Sequence, residues 1–193
     1  VGRRLAVSGS KGILVKVLGP TAGYVGGEVK NFVAKCNVNL DNIFVRAQKK
    51  LGNRIDEDGQ VSPRILKHVI DEGRFCEDSI VADYYGGVLA SSKSDIERDD
   101  RGVAVLATIT SLSVYQLRLH YLFYSLVYCM YKGKGKSLGT DRAQMAIYIP
   151  LSVYLEAMSF SPTEEAGAIL VHSVEGLVRS SLVESAFAYG STW

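Results

Sequence analysis

Residues 103–131, VAVLATITSLSVYQLRLHYLFYSLVYCMY, constrain this chain more than any other stretch. A run this apolar has to be buried, either in a bilayer or in a protein core. Gln116, Arg118 and His120 stand in its middle, and Ser111 and Ser113 interrupt it. A charged side chain at the centre of a bilayer is costly, so two buried helices are expected rather than a membrane span. The first covers about 103–111. The second opens at Ser113 with Gln116 three residues on, the reciprocal pattern of a capping box, and runs to about Tyr131.

Two such helices need a body to bury them. The chain has 193 residues, 47% apolar and 22% charged, which suits one domain with a sizeable core, or one with a small appendage, and argues against disorder. Upstream, Pro20 suits a first helical turn, and Val25, Val29, Phe32, Val33 and Cys36 recur at helical spacing, so a long helix or two joined ones are expected over 20–51. Ser62 and Pro63 read as N-cap and first residue of the next helix, which carries Ile65, Leu66, Val69 and Ile70 and stops by Gly73. A further helix is expected over 77–92 with Ile80, Val81, Tyr84 and Val88 inward, followed by the charged loop 93–102.

The expected architecture is mainly α: a multi-helix bundle over 1–131, a basic Gly-rich loop over 132–142, and a small C-terminal portion over 143–193. That last portion reads as α/β. Residues 144–160 suggest a strand and then a helix after Pro150; Ser161, Pro162 and Glu164 read as N-cap, N1 and N3 of another helix; and Val183, Ser185, Phe187 and Tyr189 alternate like a strand. Helix, turn and strand over 161–191 resemble part of a winged helix, with Arg179 near a groove.

Several stretches approach known chemistry without reaching it. VLGPTAGYVGG (17–27) lacks the GxGxxG spacing of a dinucleotide loop; its Gly19, Gly23, Gly26 and Gly27 instead fall on one helix face, where another helix can approach closely. MYKGKGKS (130–137) ends like a P-loop, but Met130 stands where the first glycine belongs. In SDIERDD, a calcium loop would need glycine and glutamate where Asp100 and Leu106 stand. Of His68, His120 and His172, only His172 has a partner at metal spacing in its helix, Glu175 three residues on, and no nucleophile–base set can be read, so no catalytic residue, metal or cofactor is expected. Cys36, Cys76 and Cys129 are scattered and odd in number, as in reduced, buried thiols of a cytoplasmic protein. The start at Val1 and the end at Trp193 are expected of a piece of a longer protein.

Two surfaces remain. Tyr121, Tyr124, Tyr128 and Tyr131 form a stripe on one helix face, read as packing against neighbouring helices or as a partner-protein surface. The formal net charge of +2 makes no global case for nucleic acid, so contacts to a phosphate backbone would rest on Lys132, Lys134, Lys136, Arg142 and Arg179.

LGPTAGYVGGEVKNFV, VSPRILKHVIDEGRFCEDSIVADYYGGVLASS and ITSLSVYQLRLHYLFYSLV resemble the abortive infection alpha (Abi-alpha) proteins of bacteria, over roughly residues 17–130. The resemblance implies a role in resistance to bacteriophage by stopping growth of the infected cell. It carries over no catalytic residues. The expected action is through assembly with itself or with a protein partner, and the alternative is a regulatory module that binds nucleic acid.

Overall fold

Helices supply the regular structure of the computed structural model, which describes residues 22–96, 98–137, 139–141, 145 and 147–184, with side chains from Asn31 onward. In chain order they are α1 (Ala22–Leu51), α2 (Pro63–Gly73), α3 (Ser79–Ser91), α4 (Gly102–Ser111), α5 (Val114–Tyr131), α6 (Leu151–Met158) and α7 (Ala166–Arg179). A 3-10 turn, Gly52–Ile55, follows α1. The only pairing of β type among the described residues is an isolated antiparallel bridge between Gln60 and Ser94. Beside it, the Lys93 ammonium donates to the carbonyls of Arg54, Ile55 and Glu57 and so closes the end of α1 onto the loop after α3.

The mainly α class is what the sequence suggests; the C-terminal α/β portion is not supported. Residues 147–149 are irregular rather than strand, Pro150 becomes the N-cap of α6, and residues 144 and 146 lie outside the described residues. After α7 the Ser181 N–H donates to the Val178 carbonyl and the Leu182 N–H to the Leu177 carbonyl, each at 3.0 Å, with Ser181 at φ 56°. That is a Schellman ending. It commits Ser181 and Leu182 to a turn where the alternation suggests a strand; Ser185, Phe187 and Tyr189 lie outside the described residues. The expected start of α7 also shifts. The Ser161 N–H donates to the Glu164 carboxylate at 2.5 Å and the Glu164 N–H to the Ser161 carbonyl, which makes a separate turn, and the helix begins only at Ala166.

Two cores hold the helices. The first gathers Ile43 and Ala47 of α1, Ile65 and Val69 of α2, five residues of α3 including Tyr85 and Leu89, Leu106 and Ile109 of α4, and Leu117 of α5. In α3, Val81 and Val88 are buried as expected, whereas Ile80 and Tyr84 are only half-buried. The second core joins Leu119 and Leu122 of α5 to Tyr154 and Met158 of α6 and to Val174 and Leu177 of α7. Leu112, between α4 and α5, packs against both. Leu106 is fully buried. Leu106→Ala is expected to cost about 3 kcal/mol through lost burial and a residual cavity, measurable as a lower urea midpoint at unchanged m-value.

Among the described residues no single helix is long and apolar enough to cross a membrane. The apolar run 103–131 forms two helices, α4 and α5, bent at 119° to one another. The bend is fixed locally. Ser113 Oγ accepts the Gln116 N–H at 3.3 Å, and Gln116 Oε1 accepts the Ser113 N–H at 2.8 Å, which completes the capping box. Ser113→Ala removes half of this box and is expected to lower stability by about 1 kcal/mol, again readable by urea unfolding.

Candidate functional site

The polar residues that break the apolar run each have a structural partner, and together they place α5 in the molecule. Gln116 is buried and belongs to the capping box. Arg118 lies between the two cores. Its Nε donates to Asp78 Oδ2 at 2.8 Å, and its Nη1 donates to the carbonyls of Ala157 and Met158 at 3.2 and 3.0 Å. Those carbonyls are at the C-terminal end of α6, where a helix leaves acceptors unpaired and favours a cation. Asp78 is also the N-cap of α3: its Oδ1 accepts the N–H groups of Ile80 and Val81 at 2.8 and 3.1 Å. One guanidinium therefore joins the start of α3 to the end of α6.

His120 faces Tyr84 of α3, with the hydroxyl 2.5 Å from Nδ1. Burial pushes the Tyr84 hydroxyl well above its ordinary range and pulls the His120 imidazole below its own. Both shifts favour a neutral ring accepting from a neutral phenol. A histidine with a folded pKa below its unfolded value of about 6.5 takes up its proton more readily in the unfolded chain. Its contribution to stability is therefore unaffected above about pH 6.5 and becomes progressively unfavourable as the pH falls below it, until the folded value is passed. His120→Gln is expected to flatten the stability–pH curve between pH 6.5 and 5 relative to the unaltered chain, as followed by thermal melts.

Beyond His120, α5 presents its tyrosine stripe to solvent. Tyr121, Tyr124 and Tyr128 are 38%, 60% and 46% exposed, so the stripe is a surface more than a packing seam. Tyr121 still meets Tyr84 edge-on, at 6.4 Å between centroids. Tyr124 and Tyr128 stack at 6.1 Å and 18°. Tyr131 is half-buried. The basic loop folds back over this end of the helix: Lys132 Nζ lies 4.6 Å from the Tyr128 ring centre and Lys134 Nζ 5.9 Å from that of Tyr131. Gly133 and Gly135 make this possible, with φ of 75° and 63°, values that side-chain-bearing residues rarely adopt. Lys136 approaches Asp141 at 4.0 Å, and Asp141 also accepts the Ser137 N–H. Arg142 lies outside the described residues, and Arg179 is exposed at the C-terminal end of α7.

Of the glycine set, Gly19 lies outside the described residues, while Gly23, Gly26 and Gly27 lie within α1. Among the described side chains, a close helix approach is seen at Gly86 of α3, where an added Cβ would stand 3.0 Å from both the Ala47 nitrogen and the Ile43 carbonyl oxygen of α1. Among the described residues no group of three or more His, Cys, Asp or Glu side chains gathers to hold a metal ion. The cysteines are not the buried set expected: Cys36 and Cys76 are half-buried and Cys129 is exposed. The Cys76 thiol is pushed up to about 11, chiefly by burial and then by Asp78, and so stays protonated at neutral pH. That is the opposite of what thiolate chemistry requires.

Arg118 and Asp78 do not stand out as partners in the sequence, being 40 residues apart. One local signal was present: an aspartate directly before Ser-Ile-Val is a favoured N-cap. The fold and this surface define a mainly α-helical protein whose most distinctive exposed feature is an aromatic face edged by lysines. No protein-family model matches the chain, and neither a curated protein nor a solved structure shows significant similarity to it.

Proposed function

We propose that this chain is a non-catalytic bacterial defence protein, acting in the cytoplasm by assembling through the tyrosine face of α5 with a second copy of itself. The observation that carries the reading is the exposure of Tyr121, Tyr124 and Tyr128 on one face. Aromatic residues ringed by polar ones are the usual composition of a contact centre. A single helix face repeated about a two-fold axis can pair with itself, and the stacked Tyr124–Tyr128 pair gives it a preorganised core. The defence role rests on the resemblance of residues 17–130 to the Abi-alpha proteins; a phage cue would act by changing the assembly.

The test is the native mass by light scattering across a concentration series. Tyr124→Ala with Tyr128→Ala is expected to shift the chain toward monomer, to leave the melting temperature unchanged when both proteins are compared at a concentration where the parent is monomeric, and to abolish any protection of cells in a phage plating assay. A monomer at all concentrations in the unaltered chain would refute self-assembly. The lysines beside Tyr128 support one other reading, nucleic-acid binding by stacking and phosphate contact. Retention on nucleic acid at low salt, lost in a Lys132→Ala, Lys134→Ala variant, would favour it.

A further inference from the structure

Between the α2–α3 loop and the corner joining α4 to α5 lies an open groove of about 470 Å³. Its floor is apolar, with Val81, Ile109 and Leu117, and the Phe75 ring stands 59% exposed at its edge. Sites for small molecules have this size and character, with a few polar groups that fix orientation. What the groove can take is decided by which of its polar groups are uncommitted. Glu77 pairs with Lys35, and Asp78 is held by Arg118 and caps α3. The Cys76 thiol donates to the Asp78 carbonyl.

Two groups stay free. Glu72, exposed at the C-terminal end of α2, has no side-chain hydrogen bond or ion pair among the described residues. Tyr85 is only 4% exposed, yet its hydroxyl has no hydrogen-bond partner among the described residues either. A buried phenol normally has one. Burial pushes this hydroxyl up to about 12, and Cys76 and Glu72 add to the shift. The hydroxyl therefore stays protonated, and the two residues that it senses both line the groove. A phenol oxygen can accept from an ammonium while its own proton goes to water or a carboxylate. No lysine or arginine lines the groove, so an anion finds no charged partner there. A cation finds the Glu72 carboxylate, the Tyr85 oxygen and the face of the Phe75 ring. We propose that the groove binds a small cationic amphiphile, its apolar body over Val81, Ile109 and Leu117 and its protonated amine between Glu72 and the Tyr85 hydroxyl. This site is separate from the tyrosine face of α5 and does not depend on it.

Cys76 lines the groove and reports its occupancy. In the full chain with Cys36→Ser and Cys129→Ser, the rate of Cys76 reaction with dithiodipyridine is followed as phenethylamine is added. Each protein's rate without the amine is its own reference. The amine is expected to slow the reaction saturably. Phenethyl alcohol, the same body without the charge, is expected to need about tenfold more for half-protection, the effect of about 1.4 kcal/mol. Glu72→Gln is expected to weaken the amine about tenfold, to the level of the alcohol. Tyr85→Phe keeps the ring in the core and is expected to weaken the amine about threefold. Glu72 is on the surface, so its variant decides the matter even where Tyr85→Phe lowers stability. No protection by the amine up to its solubility limit would overturn the proposal. So would equal protection by amine and alcohol, or an amine affinity that Glu72→Gln or a folded Tyr85→Phe leaves unchanged.

Discussion

Arg118→Ala is expected to cost about 3 kcal/mol, near the low end for breaking a buried ion pair, and to lower the melting temperature by about 6–12 °C for a chain of this size. The size follows from what the guanidinium holds. Its side chain and that of Asp78 are only 20% and 12% exposed, so the carboxylate left behind regains little water. The loss extends to two further acceptors, the Ala157 and Met158 carbonyls at the end of α6, which also lose their donor. Arg118→Lys keeps the charge but not the planar fork, and is expected to recover only part of the loss. Asp78→Ala adds a lost N-cap, about 1 kcal/mol. In a double-mutant cycle, Asp78→Ala and Arg118→Ala together should fall short of their sum by 1–3 kcal/mol, on the order of coupling between residues in contact. Additive losses would show that the two side chains do not act as a pair. The contrast with Tyr124→Ala, Tyr128→Ala matters for function, because the arginine variant is expected to lower stability and the tyrosine variant to lower assembly alone.

The parts of this fold that sequence reasoning reached are those decided within a few residues. The α4–α5 corner was legible because Ser113 and Gln116 cap each other and because three polar residues rule out an uninterrupted apolar span. Ser62 and Pro63 likewise mark the start of α2. Local signals misled where two structures compete for the same residues. Ser161 and Glu164 spend their hydrogen bonds on a turn before α7, which moves the start of the expected helix to Ala166, and Ser181 and Leu182 spend theirs on closing it, which puts a turn where a strand was expected to begin. The tyrosine spacing located a helix face but not whether it was covered, since that depends on which helices surround α5. Arg118 with Asp78, and Tyr84 with His120, were beyond reach for a simpler reason: the members of each pair are 40 and 36 residues apart, and only tertiary packing brings them together.

Glycine gives the sharpest case, because Gly86 and Gly87 are neighbours with opposite expected responses. Alanine in place of either would raise helix propensity, by roughly 1 kcal/mol at an exposed interior position. At Gly87 the added methyl would meet only the Lys50 side chain, at 3.9 Å, so Gly87→Ala is expected to hold or raise the melting temperature. At Gly86 the methyl would stand 2.8 Å from the Arg46 Cβ and 3.0 Å from backbone atoms of Ile43 and Ala47. None of these can withdraw without moving α1 itself. Overpacking of this kind typically costs 1–3 kcal/mol, so Gly86→Ala is expected to destabilise despite its propensity gain. Gly86→Val, with two more methyls in the same gap, is expected to cost about 3 kcal/mol or more and to separate α1 from α3. Fast hydrogen exchange confined to α1, with the α5–α7 core still protected, would be its signature. If instead Gly86→Val melts like the parent, α1 does not lie against α3 at this distance. The Arg46 and Lys50 contacts to Asp83, at 3.3 and 2.9 Å on the same helix pair, would then fall with it.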